Sequence, residues 1–132
     1  MNSTLFLEKA LETLEEALEK YDPAKDDLIV RDGIIQRFEY SFELAIKTLE
    51  KVLSQEMPTG NNFDVIFYKD LIRMAANKGL IDSPEAWFDF KKSRNKTSHA
   101  YSNKIADEVF QSIPPFFSSA KNLLTHLKSI EQ

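Results

Sequence analysis

The feature that most constrains this chain lies near its C-terminal end. Ile105, Val109, Ile113, Phe116, Ala120, Leu123, Leu127 and Ile130 recur at steps of 4, 4, 3, 4, 3, 4 and 3. That spacing puts every one of them on one side of a helix. Pro114-Pro115 interrupts the run, and proline removes backbone donors and disfavours helix in the residue before it. The stripe nevertheless keeps its phase across the pair. Residues 103–130 therefore read as one kinked helix or two nearly collinear ones packed on a single core.

The same period appears upstream. In residues 4–21, Leu7, Leu11, Leu14, Leu18 and Tyr21 form a stripe, with Glu8, Glu12, Glu15, Glu16 and Glu19 on the other faces. Asp22-Pro23 ends this helix. Residues 24–31, including Leu28-Ile29-Val30, are left as a connection without assigned structure. A long helix is predicted over 32–55, capped by Asp32 and striped by Ile35, Phe38, Phe42, Ala45, Leu49 and Val52. Arg37, Glu39, Tyr40, Glu43 and Lys47 flank that stripe. They read as a surface ladder of i,i+4 ion pairs such as Glu43 with Lys47, or else as half-buried groups paired elsewhere.

MPTGNN at 57–62 is a loop by composition. A third helix is expected over 63–77, with Val65, Ile66, Leu71, Ile72 and Ala75 apolar and Lys78-Gly79 as its stop. Ser83-Pro84-Glu85 supplies an N-cap, a first-turn proline and an acid at the positive end of a fourth helix. Trp87, Phe88 and Phe90 follow and read as core anchors rather than a base-stacking platform. The result is an all-α fold, an antiparallel up-and-down bundle of four to five helices. With only 3 Gly and 5 Pro among 132 residues, turns are too scarce for a hairpin-rich β fold. The length fits one domain spanning 1–132.

Charge singles out one stretch. Residues 91–104, KKSRNKTSHAYSNK, carry Lys91, Lys92, Arg94, Lys96 and Lys104 and no acid. The remainder holds 12 basic residues against 21 acidic ones. Positive charge gathered against such a background marks a place for an anion. The overall net charge of -4 argues against a protein that coats DNA, which needs broad positive charge. The absence of cysteine excludes disulfides and thiol chemistry and fits a cytoplasmic location. No secretory signal and no membrane span are expected. Two distant histidines do not suggest a metal site, no glycine-rich phosphate loop is present, and no cofactor is expected. His126, beside Lys121 and Lys128, reads as a solvated helix residue.

Within the basic stretch, Arg94 and His99 stand five residues apart, about 140° around a straight helix. They converge only if the helix ends between them, which Asn95, Thr97 and Ser98 tolerate. Tyr101, seven residues from Arg94, shares its face if the helix continues. Arginine is a fixed fork for phosphate and histidine moves a proton near neutral pH, so the set suits phosphodiester cleavage without a metal. The residues alone leave a second reading open: an arginine bonded to a helix C-terminus and a histidine filling a partly buried gap.

The run Ser-Arg-Asn-Lys-Thr-Ser-His-Ala-Tyr at 93–101 resembles the R-x4-H-x-Y signature of HEPN domains. It is most similar to the branch paired with minimal nucleotidyltransferases, also described as nucleotidyltransferase substrate-binding proteins. The similarity extends to Asp32-Gly33-Ile34-Ile35-Gln36-Arg37-Phe38-Glu39-Tyr40, Phe42-Glu43-Leu44 and Lys47, and to Gly79-Leu80-Ile81 and Trp87. It covers roughly residues 5–128, without departure at the signature. The resemblance implies a helical homodimer in which two signatures meet in a cleft. It implies a metal-independent ribonuclease toxin with Arg94 and His99 catalytic, Asn95 and Tyr101 in support, and RNA as substrate. It further implies a minimal nucleotidyltransferase partner acting as antitoxin, with Tyr101 as a candidate adenylylation site. The family's other description implies instead a non-catalytic subunit that binds a nucleotide or substrate for the partner enzyme.

Overall fold

The computed structural model describes residues 3–55 and 67–131. Its helices are α1 (Ser3–Lys20), α2 (Leu28–Ser54), α3 (Tyr68–Asn77), α4 (Pro84–Lys96) and α5 (Asn103–Ile130), and no strand occurs among the described residues. The expected all-α bundle is what forms. The predicted loop at 57–62 and residues 63–66 of the predicted third helix lie outside the described residues; α3 itself begins at Tyr68, later than expected, with Phe67 extended before it.

Contacts between helices give their directions. Thr13 of α1 meets Arg37 and Tyr40 of α2, and the Ser3 carbonyl meets Thr48, so α1 and α2 run antiparallel. Glu8 of α1 bonds Lys128 of α5, and Thr4 donates to Glu131 at 2.5 Å, so α1 and α5 are also antiparallel. Ser93 with Ser112 and Lys96 with Glu108 set α4 against α5 in the same sense. One apolar cluster joins all five helices. At its centre Phe116 stacks edge-on against Phe38 at 5.1 Å, Phe90 at 5.5 Å and Trp87 at 5.9 Å. Such tilted pairs stabilise beyond their buried area.

Two predicted stops and starts hold. Gly79 adopts φ +77°, a left-handed conformation that ends α3 and that side chains rarely tolerate. Ser83 Oγ accepts from the Ala86 amide at 3.2 Å, with Pro84 in the first turn of α4. Helix α5 runs unbroken through Pro114-Pro115. Both prolines lie on its exposed side, between buried Ile113 and Phe116. Carbonyls that lose a donor there can turn to water.

The start of α2 differs from expectation. Its cap is Asp27, whose Oδ1 accepts from the amides of Ile29 and Val30 at 3.0 and 3.2 Å. Leu28-Ile29-Val30, left unassigned above, is its first turn. Asp32 caps nothing; its carboxylate meets Arg31 at 3.0 Å. Phe88 packs against the edge of the core rather than within it. It is half-buried, with Lys69 Nζ at 5.5 Å and Arg73 Cζ at 5.6 Å from its ring centre. Trp87 and Phe90 are buried as predicted.

Candidate functional site

Helix α4 ends at Lys96, between Arg94 and His99, and a 3-10 turn, Thr97–His99, follows. That is the break on which any convergence of the two depended. Arg94 is the last long side chain of α4 directed at α2. Its guanidinium bonds the Glu43 carboxylate and has Glu39 at 3.9 Å. Glu39 also lies 2.6 Å from the Thr97 hydroxyl, and that same hydroxyl is 2.8 Å from the Arg94 carbonyl. One carboxylate of α2 thus holds both sides of the break.

A second anchor lies just beyond the turn. Arg31 is buried, salt-bridged to Asp32 at 3.0 Å and to Asp107 at 3.6 Å, and it donates to Asn103 at 3.3 Å. A buried arginine must be paired to offset its lost hydration, and here the pairing ties the start of α5 to the start of α2. The segment between the anchors, 97–103, is therefore set against α2 at both ends. His99 and Tyr101 project from it into solvent, their ring centres 6.5 Å apart and tilted by 68°, with Tyr101 87% exposed. Asn95 is exposed on the last turn of α4.

This arrangement does not match the second reading of Arg94 and His99. Arg94 bonds carboxylates of another helix rather than a helix C-terminus, and His99 is exposed rather than set in a gap. Nor do Glu39 and Glu43 form a ladder along α2, because both face Arg94. Arg37 and Tyr40 likewise reach across helices, to Thr13. The basic stretch is largely matched with acids or rings. Lys92 is 3.9 Å from Asp89, Lys96 is 3.4 Å from Glu108, and Lys91 sits 5.3 Å over the Tyr68 ring. His126 is not simply solvated. It is half-buried, and its Nδ1 donates to the Leu80 carbonyl at 3.1 Å, which fixes its tautomer.

Glu39, Glu43 and Thr97 are the site residues that sequence reasoning did not assign. The available signal was the four-residue spacing of the two glutamates beside the apolar stripe, which placed them on one face without naming the partner. Among the described residues, no three His, Asp or Glu side chains are grouped to hold a metal ion, and no helix is long and apolar enough to cross a membrane.

Comparison with known proteins adds identity to this geometry. The family described as nucleotidyltransferase substrate binding protein like matches residues 5–129. The chain belongs to that family. A Haemophilus influenzae (strain KW20 Rd) protein described as a probable ribonuclease HepT is 32% identical over 108 residues, covering 82% of this chain and 73% of its own. A solved Haemophilus influenzae structure, described as revealing the fold of a substrate binding domain of a nucleotidyltransferase, superposes with a TM-score of 0.87. It is 27% identical and the match covers 95% of this chain and 98% of that one. A crystal structure of a Thermus thermophilus protein has a TM-score of 0.76 and 31% identity, covering 92% of this chain and 98% of that one. The family expected from the signature is therefore the family found, over nearly the whole chain.

Proposed function

We propose that this protein is the HEPN subunit of a two-component module and acts as a metal-independent endoribonuclease toxin, neutralised by a minimal nucleotidyltransferase. The observation that carries the reading is the helix break at Lys96. It leaves Arg94 at a helix end and His99 exposed on the turn beyond, with the segment between pinned to α2. In this reading Arg94 binds the scissile phosphate through donors not spent on Glu43. The ribose 2′-hydroxyl attacks phosphorus and gives its proton to His99, the P–O5′ bond breaks, and His99 returns a proton to O5′, leaving a 2′,3′-cyclic phosphate and a 5′-hydroxyl end. Asn95 and Tyr101 support the site. The relative described as a probable ribonuclease is consistent with this chemistry. We place the protein in the cytoplasm as a homodimer, so that two signatures line one cleft.

The test is cleavage of labelled RNA in EDTA by wild type, His99→Ala and Arg94→Ala. Loss of the general acid/base should lower the rate about 10²–10⁴-fold. Equal inactivity of all three on several RNAs would sink the ribonuclease reading.

One observation favours a second reading. Two carboxylates flank Arg94, which weakens the attraction of a polyanion. A non-catalytic subunit that holds one nucleotide or substrate for the nucleotidyltransferase needs less positive charge. The description of the Haemophilus influenzae structure is in keeping with that role. Under either reading, the exposure of Tyr101 suits it to adenylylation. A mass increase of one adenylyl group after incubation with partner and ATP, absent in Tyr101→Phe, is the expected result.

A further inference from the structure

Beside the signature lies a cleft of about 260 Å³ between α2 and the turn that carries His99. Asp32, Gln36 and Glu39 line its α2 wall, at spacings that place them on one helical face. Ile35 and Ala100 supply an apolar floor, and Tyr101 stands at the edge. We propose that this cleft is a nucleobase subsite selecting guanine, on a nucleotide whose phosphate meets Arg94 and His99. The proposal rests on the reading above that the signature receives a nucleotide phosphate.

The chemistry of the lining chooses the ligand. Among the described residues the walls carry two carboxylates and no lysine or arginine, so a phosphate is repelled from the cleft and drawn instead to Arg94 at its border. What the cleft accepts is a flat, uncharged group with hydrogen-bond donors along its edge. Exposed Tyr101 offers a face for stacking, a contact that every base can make. Selection among bases then falls to the polar wall. Glu39 already serves Thr97 and Arg94. Asp32 Oδ1 is engaged by Arg31, while the side chain remains 58% exposed, which leaves its other oxygen as an acceptor. Guanine presents an N1–H beside an N2 amino group, which is two adjacent donors. Adenine and cytosine present an amino group alone, and uracil a single N–H. Exposed Gln36 can accept from the guanine amino group or donate to O6. Guanine therefore uses the wall most fully and uracil least.

The test measures binding of GMP, AMP, CMP and UMP to the wild-type protein by NMR titration, and to its Gln36→Ala and Asp32→Asn variants. GMP should bind most tightly and UMP least. Gln36→Ala should cut the GMP-over-UMP preference about two- to tenfold, the range for one hydrogen bond, without moving the melting temperature. Asp32→Asn should cut it in the same direction, with its melting temperature checked because Asp32 also pairs Arg31. Mapping the ends of RNA cut by wild type separates this proposal from the one it rests on. A GMP preference lost in Gln36→Ala, beside RNA left intact, retains the cleft and sinks the nuclease. Cleavage that needs Arg94 and His99 but ignores the base, or mononucleotides that bind equally or not at all, overturns the cleft.

Discussion

The two ends of α4 face the same neighbour, α2, with opposite chemistry. Near its start Trp87 lies 6.2 Å from Phe42, ring to ring, and is 1% exposed. At its end Arg94 bonds Glu43, the very next residue of α2, with both side chains partly in water. The aromatic contact removes large apolar surfaces from water and makes the helix stay. The polar contact is a half-solvated ion pair, a class worth about 0–1 kcal/mol. A helix anchored firmly at one end can therefore present an exchangeable arginine at the other. In the proposed reading an incoming phosphate takes the guanidinium donors that Glu43 leaves free and competes with only a weak pair, and the bundle does not depend on the outcome.

The largest effect that sharpens this contrast belongs to the aromatic end. Phe116→Ala removes the ring that Phe38, Trp87 and Phe90 all pack against and should lower stability by about 3–5 kcal/mol, read as a fall in the urea midpoint. A loss below about 1 kcal/mol would mean that the aromatic cluster is not the anchor described here. At the polar end Glu43→Gln should do the reverse. Stability should move by less than about 1 kcal/mol, while RNA binding to the His99→Ala background tightens because a negative charge beside Arg94 is gone. Weaker RNA binding with unchanged stability would show that Glu43 orients Arg94 for phosphate more than it competes for it.

The same contrast explains what could be read without coordinates. The stripes of α1 and α5, the Ser83-Pro84 start and the Gly79 stop are local patterns, and each holds, except at the stripe ends, where Ile130 is exposed and Tyr21 lies beyond α1. The start of α2 was misplaced because Leu28 and Ile29 are apolar yet 43% and 85% exposed. They break the helical period that burial imposes, so Asp32 drew the cap assignment that belongs to Asp27. The signature residues were legible because they are close in sequence. Their carboxylate partners were not. Glu43 lies 51 residues from Arg94 and Glu39 lies 58 from Thr97, and no local pattern links such positions.

The smallest effect concerns a polar group on the aromatic side. Tyr68 is half-buried and its hydroxyl donates to the Trp87 carbonyl at 2.8 Å. Burial disfavours the phenolate and raises the Tyr68 pKa above its ordinary value. At neutral pH, Tyr68→Phe should cost about 1 kcal/mol for the lost hydrogen bond. Above about pH 10 the unfolded chain releases this proton while the folded one keeps it. Wild type then loses stability as pH rises, by at most about 1.4 kcal/mol per unit from this group. Phenylalanine has no proton to lose. The gap between wild type and Tyr68→Phe should therefore be widest below about pH 9 and shrink from about pH 10 upward in urea melts at each pH. A gap that stays constant to about pH 11 would place the Tyr68 hydroxyl in water, and the aromatic end of α4 would then be less sealed than its contacts with Phe42 and Phe116 require.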